Sequence, residues 1–321
     1  MPVTKSNYTP NFIFKNKHIN TAFKTLIYNQ NITYNRKRIN TPDNDFLDLD
    51  FSTNNAETCV IALHGLEGSS KSKYIISAIK FLNANGIDAI AVNFRGCSGE
   101  PNSQPYSYHS GKTDDLNLVI DYIIKNYTYK NIFLLGYSMG GNILLKYLGE
   151  RVNVNSIIKG GIAFSVPCDL KGSSEALSNK QNKLYLNRFL KTLKHKAMKT
   201  INRHPNLNLS KEKIIKSKNF EDFDNVVTAP LFNFKDANDY YLKNSSINFI
   251  ENINTSTLIV NALDDTFLSE SCYPFKICKN NNHVMFETPK YGGHVGFNTS
   301  IIAHKNTWSE ERILQFINSI L

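Results

Sequence analysis

NIFLLGYSMGGNILLKYLGE, residues 131–150, changes its hydrophobic period halfway along. Residues 131–135 form a short apolar run of strand type, after which Ile143, Leu144, Tyr147 and Leu148 recur at helical spacing. The turn between them, Gly136-Tyr137-Ser138-Met139-Gly140, is a G-x-S-x-G pattern joining a buried strand to a helix. In that setting the serine sits on a strained turn with its hydroxyl projecting over the end of the sheet. Gly136 and Gly140 are needed because side chains there would collide with the neighbouring strand and helix. The helix adds its partial positive charge and free N–H groups beside Ser138, where an oxyanion would develop. The bare pattern also arises by chance in glycine-bearing turns. The strand before it and the helix after it make Ser138 a candidate nucleophile.

A nucleophile of this kind needs a base and a residue to orient the base. Upstream, residues 59–63 read as a short buried strand ending in His64-Gly65-Leu66-Glu67-Gly68-Ser69-Ser70. A strand followed by His-Gly and a small-residue loop suits the second oxyanion donor, the backbone N–H of Leu66, beside that of Met139 after the nucleophile. Residues 74–85 have helical periodicity with Gly86 as a stop, 89–94 form the next strand, and 95–102 a glycine-bearing loop. A second helix covers 114–125, with acidic residues in its first turn, and 159–166 form a further strand. This alternation predicts a doubly wound, mainly parallel sheet. Before it, 33–39 and 45–51 read as two strands joined by a turn. Residues 1–30 read as a polar arm, carrying Phe12, Phe14, Phe23, Leu26 and Ile27, that packs on the domain surface rather than forming a strand.

The alternation breaks between residues 167 and 255. Within that break, 184–201 carries Leu186, Phe189, Leu190, Leu193, Ala197 and Ile201 on one face and lysines mostly elsewhere, a basic amphipathic helix. The strand pattern resumes at 257–263 with Asp264-Asp265 at its end, and a strand at 284–287 leads into YGGHVGF, residues 291–297. The chain closes with an amphipathic helix over 308–321, opened by a Thr307/Glu310 capping box. The order is thus Ser138, then Asp264 or Asp265, then His294, each in a loop after a strand. That order is the α/β-hydrolase arrangement. Singly these residues say little, since an Asp pair after a strand usually caps a helix and a lone His is usually structural. Their order, together with the His-Gly loop, makes them candidate catalytic residues.

Length and composition set the remaining bounds. At 321 residues and 41% hydrophobic, the chain suits one large α/β domain with an insertion. It has no apolar run long enough to span a bilayer, and its first 20 residues lack a signal-peptide pattern. Five scattered cysteines read as reduced thiols of a cytoplasmic protein and argue against zinc. With no H-E-x-x-H, Walker loop or G-x-G-x-x-G, neither a metal nor a cofactor is implied. The net charge of +10 could mean a nucleic-acid or anionic-membrane partner, but in a chain rich in asparagine and isoleucine it reads as solvated surface in preference to any basic binding site, and no nucleic-acid partner is expected.

The sequence resembles the YheT-like branch of the α/β-hydrolases over nearly its whole length. The resemblance is carried by NKHINT (16–21), HGLEGS (64–69), FRGCSGEPN (94–102), YHSG (108–111), residues 136–150, TAPL (228–231), DYY (239–241), NALDD (261–265) and GGHVGF (292–297). The Arg-Gly-Cys-Ser-Gly-Glu-Pro-Asn run is specific to that branch. The resemblance implies a helical cap insertion over 169–248 and a serine carboxylic-ester hydrolase acting on small acyl or lipid-like esters. Transfer of the acyl group to an alcohol is the alternative, and peripheral membrane or lipid contact is compatible with either. The triad carries over onto Ser138, Asp265 and His294. Thr266 departs from the family pattern, which has proline after the acid. A non-catalytic binding protein is disfavoured because none of the three catalytic roles is substituted.

Overall fold

The computed structural model describes residues 3–302 and 307–321. Its strands are β1 (Val3–Thr4), β2 (Asn35–Asn40), β3 (Phe46–Ser52), β4 (Thr58–Leu63), β5 (Asp88–Asn93), β6 (Asn131–Tyr137), β7 (Ile158–Phe164), β8 (Thr257–Val260) and β9 (Val284–Glu287). They form one sheet in the order β1-β9-β8-β7-β6-β4-β5-β3-β2. β4 to β9 pair in parallel, β1 joins β9 in parallel, and β2 and β3 complete the other edge antiparallel. The central strands TCVIAL and DAIAVN are buried along their whole length. Such continuous runs are what a sheet covered on both faces requires.

One face is covered by α2 (Lys73–Ala84) and the C-terminal helix Trp308–Ile320, which contributes Ile313 and Ile317 to the core, with α1 (Lys17–Ile27) packed against α2. The other is covered by α3 (Thr113–Asn126) and α4 (Met139–Glu150), through Val119, Ile123, Leu144 and Leu148. α2 stops at Gly86, whose φ of +72° lets the Ile87 N–H reach the Leu82 carbonyl at 3.1 Å. Thr307 and Glu310 form the capping box of the last helix.

The amino-terminal arm differs from the expectation drawn for it. Val3 and Thr4 pair with Phe286 and Glu287, and an 11-residue helix follows. Met1 and Pro2 of the arm lie outside the described residues. Polarity misled because the polar groups are paired inside the protein. Buried Lys24 meets buried Glu310 at 2.6 Å, with Ser77 and Thr307 as further acceptors, and Asn20 is wholly buried.

The branch-specific run 95–102 is structural. Arg95 bridges Asp115 at 2.8 Å and Asp43 at 2.6 Å, and Asn102 Oδ1 accepts the Gly96 N–H at 2.6 Å. Between β7 and β8 the chain leaves the sheet as α5 (Leu170–Leu177), α6 (Lys183–Arg203) and α7 (Lys211–Lys216). A short helix Phe220–Phe223, a π-helical turn Asp224–Thr228 and a helix Ala237–Asn244 follow. Leu186, Leu190, Ala197, Ile201, Ile214 and Phe223 give these elements their own apolar core. Among the described residues no helix is long and apolar enough to cross a membrane.

Candidate active site

Every sequence-selected site residue lies beyond the carboxyl end of a parallel strand, where open α/β sheets bind ligands. Ser138 follows β6 with φ +53° and ψ −121°, a strained backbone for a residue with a side chain. Its N–H donates to the Phe164 carbonyl at 2.8 Å and its carbonyl accepts from Asn142 N–H at 3.1 Å. The flanking glycines make the turn possible. A Cβ on Gly136 would sit 2.6 Å from the Gly140 oxygen, and one on Gly140 would sit 2.5 Å from the Leu63 oxygen. The first contact is with helix α4 and the second with neighbouring strand β4.

His294, after β9, brings its Nε2 to 2.9 Å from Ser138 Oγ and its Nδ1 to 2.8 Å from Asp265 Oδ2. A carboxylate only accepts, so Nδ1 carries the proton toward Asp265 and Nε2 is left to accept from the serine hydroxyl. Asp265 is buried, and its second oxygen accepts the Phe267 N–H at 2.9 Å. The Phe267 ring stacks on the imidazole at 4.2 Å between centroids. The neighbouring carboxylate points elsewhere: Asp264 Oδ1 accepts the Gly293 N–H at 2.9 Å. Burial raises the Asp264 carboxyl to about 6. Asp264 does not act as a helix cap, the usual role of an Asp after a strand, because the chain next makes only a 3-10 turn at Glu270–Cys272, whose N-cap is Ser269.

The loop after β4 packs directly against the serine, since a Cβ on Gly65 would lie 3.2 Å from Ser138 Cβ. Neither the Leu66 N–H nor the Met139 N–H has a protein acceptor among the described residues. Buried His64 holds the loop from beneath. Its Nδ1 lies 2.7 Å from the Gly65 carbonyl and its Nε2 accepts the Phe94 N–H at 3.2 Å, while burial pushes its imidazole down to about 4. It is thus neutral, with Nδ1 as donor. Tyr108 OH accepts the Glu67 N–H and donates to the Glu67 carboxylate, which also takes Lys196 of α6 at 2.8 Å.

Ser138, Met139, Leu66 and His294 open into a cavity of about 150 Å³. Phe189, Leu193, Phe220, Phe223, Val227 and Leu231 of the inserted helices supply much of its wall. Asp224 and Tyr241 form part of the same wall; Asp224 accepts from Tyr241 OH at 2.8 Å and Thr228 Oγ1 at 2.5 Å. Burial raises that carboxyl to about 6. No three His, Cys, Asp or Glu side chains among the described residues converge to hold a metal ion.

Several supporting residues escaped sequence reasoning. Thr21 Oγ1 accepts the His294 N–H and Ser165 Oγ the Val295 N–H, both at 2.9 Å. These contacts span more than a hundred residues and leave no local signal. Phe267 had one, being an aromatic two positions after the acid.

Strand order, elbow and the Ser–His–Asp alignment define an α/β-hydrolase, and the chain belongs to that family. Residues 58–299 match the model of the family described as alpha/beta hydrolase fold. Within it the chain belongs to the YheT-like branch. It is 30% identical to YheT of Escherichia coli (strain K12), over 99% of this chain and 95% of that protein. Phospholipase ABHD3 of Homo sapiens is 28% identical over 90% of this chain and 73% of its own length. The monoacylglycerol lipase of Saccharomyces cerevisiae is 27% identical over 77% of this chain and 56% of its own. In structure the chain is similar to the Pyrococcus furiosus esterase Pf2001, with a TM-score of 0.58 at 18% identity, covering 89% of this chain and 92% of that one. At that identity the likeness concerns the fold alone.

Proposed function

We propose that the protein is a serine carboxylic-ester hydrolase that works through an acyl-enzyme on acyl or lipid-like esters. The observation that carries this reading is the hydrogen-bonded line from Ser138 Oγ through His294 to Asp265, at 2.9 Å and 2.8 Å. In the first half-reaction His294 Nε2 takes the Ser138 proton as Oγ attacks the ester carbonyl. Asp265 holds the tautomer and stabilises the imidazolium. The free N–H groups of Leu66 and Met139 hold the oxyanion of the tetrahedral intermediate. Collapse expels the alcohol, protonated by His294, and water then releases the acid through the same histidine. No step calls for a metal or cofactor.

Apolar walls around the serine favour an acyl chain, and the helical insertion over 169–248 acts as the cap that encloses it. Relatives named as a phospholipase and a monoacylglycerol lipase support a lipid-like ester as the substrate class. The test is labelling by a fluorophosphonate, followed by a panel of acyl esters with and without an added alcohol. Labelling of the native chain and its loss in Ser138→Ala are expected, with turnover falling on the order of 10⁶-fold. Undiminished ester hydrolysis by Ser138→Ala would sink the reading. Acyl product appearing on the alcohol in preference to water would turn the assignment to an acyltransferase.

A further inference from the structure

The positive charge is not dispersed along the chain. Residues 180–218 carry 12 Lys and Arg against one acidic residue, Glu212. The whole chain has 37 basic and 27 acidic residues, so everything outside this segment holds 25 and 26 and is close to neutral. The entire net charge therefore resides on α6, α7, the residues joining them and the flanking Lys180 and Lys218.

We propose that the outer face of α6 and α7 is a docking surface for an anionic lipid bilayer. Leu184, Arg188, Lys191, His195, Lys199 and Asn202 are all exposed and follow one another at intervals of three or four residues, one stripe of α6. α7 is fastened beside it: Lys194 Nζ donates to the Ile215 carbonyl at 2.8 Å, and Lys211 Nζ to Asn202 Oδ1 at 2.8 Å. This adds exposed Lys211, Lys213, Lys216 and Lys218 to the same surface. Of the 12 cations, Lys196 pairs with Glu67 and Lys216 with Glu212; the other ten have no carboxylate partner among the described residues. Such a concentration of unpaired like charge opposes folding unless an anionic partner offsets it.

Charge alone fits a nucleic acid as well as a membrane, and two further observations favour the membrane. The large apolar side chains exposed in the segment are aliphatic: Leu184 is 84% exposed and Ile215 63%. Aliphatic groups among lysines suit the headgroup boundary, whereas single-stranded nucleic acid favours aromatic platforms. The opposite face of α6 also lines the cavity, through Phe189, Leu193 and Ala197. Docking would thus set a lipid surface one helix away from the candidate serine. The surface itself does not depend on the ester-hydrolase reading; it adds to that reading the place from which an apolar substrate would be supplied.

The test is sedimentation of the full chain with vesicles of phosphatidylcholine alone or mixed with phosphatidylglycerol. Binding is expected on the mixed vesicles only and should weaken as salt rises. Each basic residue near an anionic surface contributes roughly fivefold. Arg188→Gln, Lys191→Gln, Lys199→Gln and Lys213→Gln combined should therefore weaken binding by at least about a hundredfold, with a melting temperature no lower than that of the native chain. Leu184→Ser with Ile215→Ser should reduce the binding that survives high salt. Equal binding to both vesicle types, no binding to either, or displacement from mixed vesicles by an RNA or DNA duplex would overturn the proposal. Ser138→Ala keeps the two readings separate: it should bind vesicles like the native chain, and the fourfold Gln variant should hydrolyse a water-soluble short-chain ester at the native rate.

Discussion

Asn20 of α1 and Asn298, four residues beyond His294, hold each other by three hydrogen bonds. Asn298 N–H reaches Asn20 Oδ1 at 3.0 Å, and its amide nitrogen reaches the Asn20 carbonyl and Oδ1 at 2.8 and 2.9 Å. One helical position on, Thr21 Oγ1 accepts the His294 N–H. The approach is close, since a Cβ on Gly296 would lie 2.4 Å from the Asn20 oxygen. The amino-terminal helix is therefore a brace for the loop that carries the histidine.

Thr21→Val keeps the shape and removes the acceptor, leaving the His294 N–H unpaired. The imidazole should lose its fixed orientation, lowering kcat about tenfold with KM little changed, for a hydrogen-bond loss of about 1–2 kcal/mol. Thr21→Ser should restore the rate. Steady-state kinetics on the three proteins check this, and a Val variant as fast as the native chain refutes the bracing role. Asn20→Ala removes a fully buried amide with several partners and should cost about 3 kcal/mol or more in denaturant unfolding.

Asp264 and Asp265 are adjacent in sequence and face different partners. Asp265→Asn should fold normally yet lose turnover by about 10⁴, because an amide favours the wrong imidazole tautomer. Asp264→Asn retains an oxygen for the Gly293 N–H and should keep most of the activity. Measuring kcat and melting temperature for the two side by side decides between them. Near-normal turnover in Asp265→Asn would remove it from the mechanism.

What could be read in advance follows the range of the interactions. The elbow was legible because strand, two glycines and helix are contiguous, and the glycine clashes are with elements that the same pattern predicts. The choice of Asp265 came from resemblance alone, since residue type and spacing left both carboxylates open. Asn20 and Thr21 stood out only as part of the NKHINT resemblance and Ser165 not at all, and the roles of all three were illegible: they act on residues 130 to 278 positions away, and a polar residue in an arm gives no sign that its partner is buried with it. The charge of 180–218 was countable from the outset and the basic character of 184–201 was legible, but the whole-chain charge alone did not show that the excess is confined to that segment.

The two glycines Gly140 and Gly86 should respond differently to alanine. At Gly140 the added methyl meets the backbone oxygens of Leu63 and His64, at 2.5 and 2.6 Å, which cannot move without disturbing the loop beside Ser138. Gly140→Ala should lose several kcal/mol of stability, on the order of an overpacked core site, and most of the activity. At Gly86 nothing lies within 4 Å, and only φ of +72° resists the change. Gly86→Ala should cost about 1 kcal/mol and leave kcat intact. Equal damage at both sites would show that the elbow contact is not what makes Gly140 necessary.

The carboxyl of Asp224 gives a stability prediction whose sign follows from its surroundings. Burial raises it to about 6, although Thr228 and Tyr241 both donate to it, and among the described residues no cation pairs with it. An unfolded Asp titrates near ~3.9, so across the window from about 4 to 6 the folded chain binds the proton that the unfolded chain has released. The contribution of Asp224 to stability then falls as pH rises through that window and stays reduced above it, opposed over the same range by buried His64, which is neutral in the folded chain and protonated in the unfolded one. Asp264, also raised to about 6, acts in the same direction. Asp224→Asn removes one of the two contributions. Its amide oxygen can accept from Thr228 and its amide nitrogen can donate to the Tyr241 oxygen, so both contacts survive with one reversed. The variant should be more stable than the native chain at pH 7–8, by roughly 1–3 kcal/mol, and no more stable near pH 4. Denaturant unfolding across that range measures the difference. A variant less stable at pH 8 than at pH 4, relative to native, would mean that the ionised carboxylate is held favourably and that its burial is offset by contacts beyond those two hydroxyls.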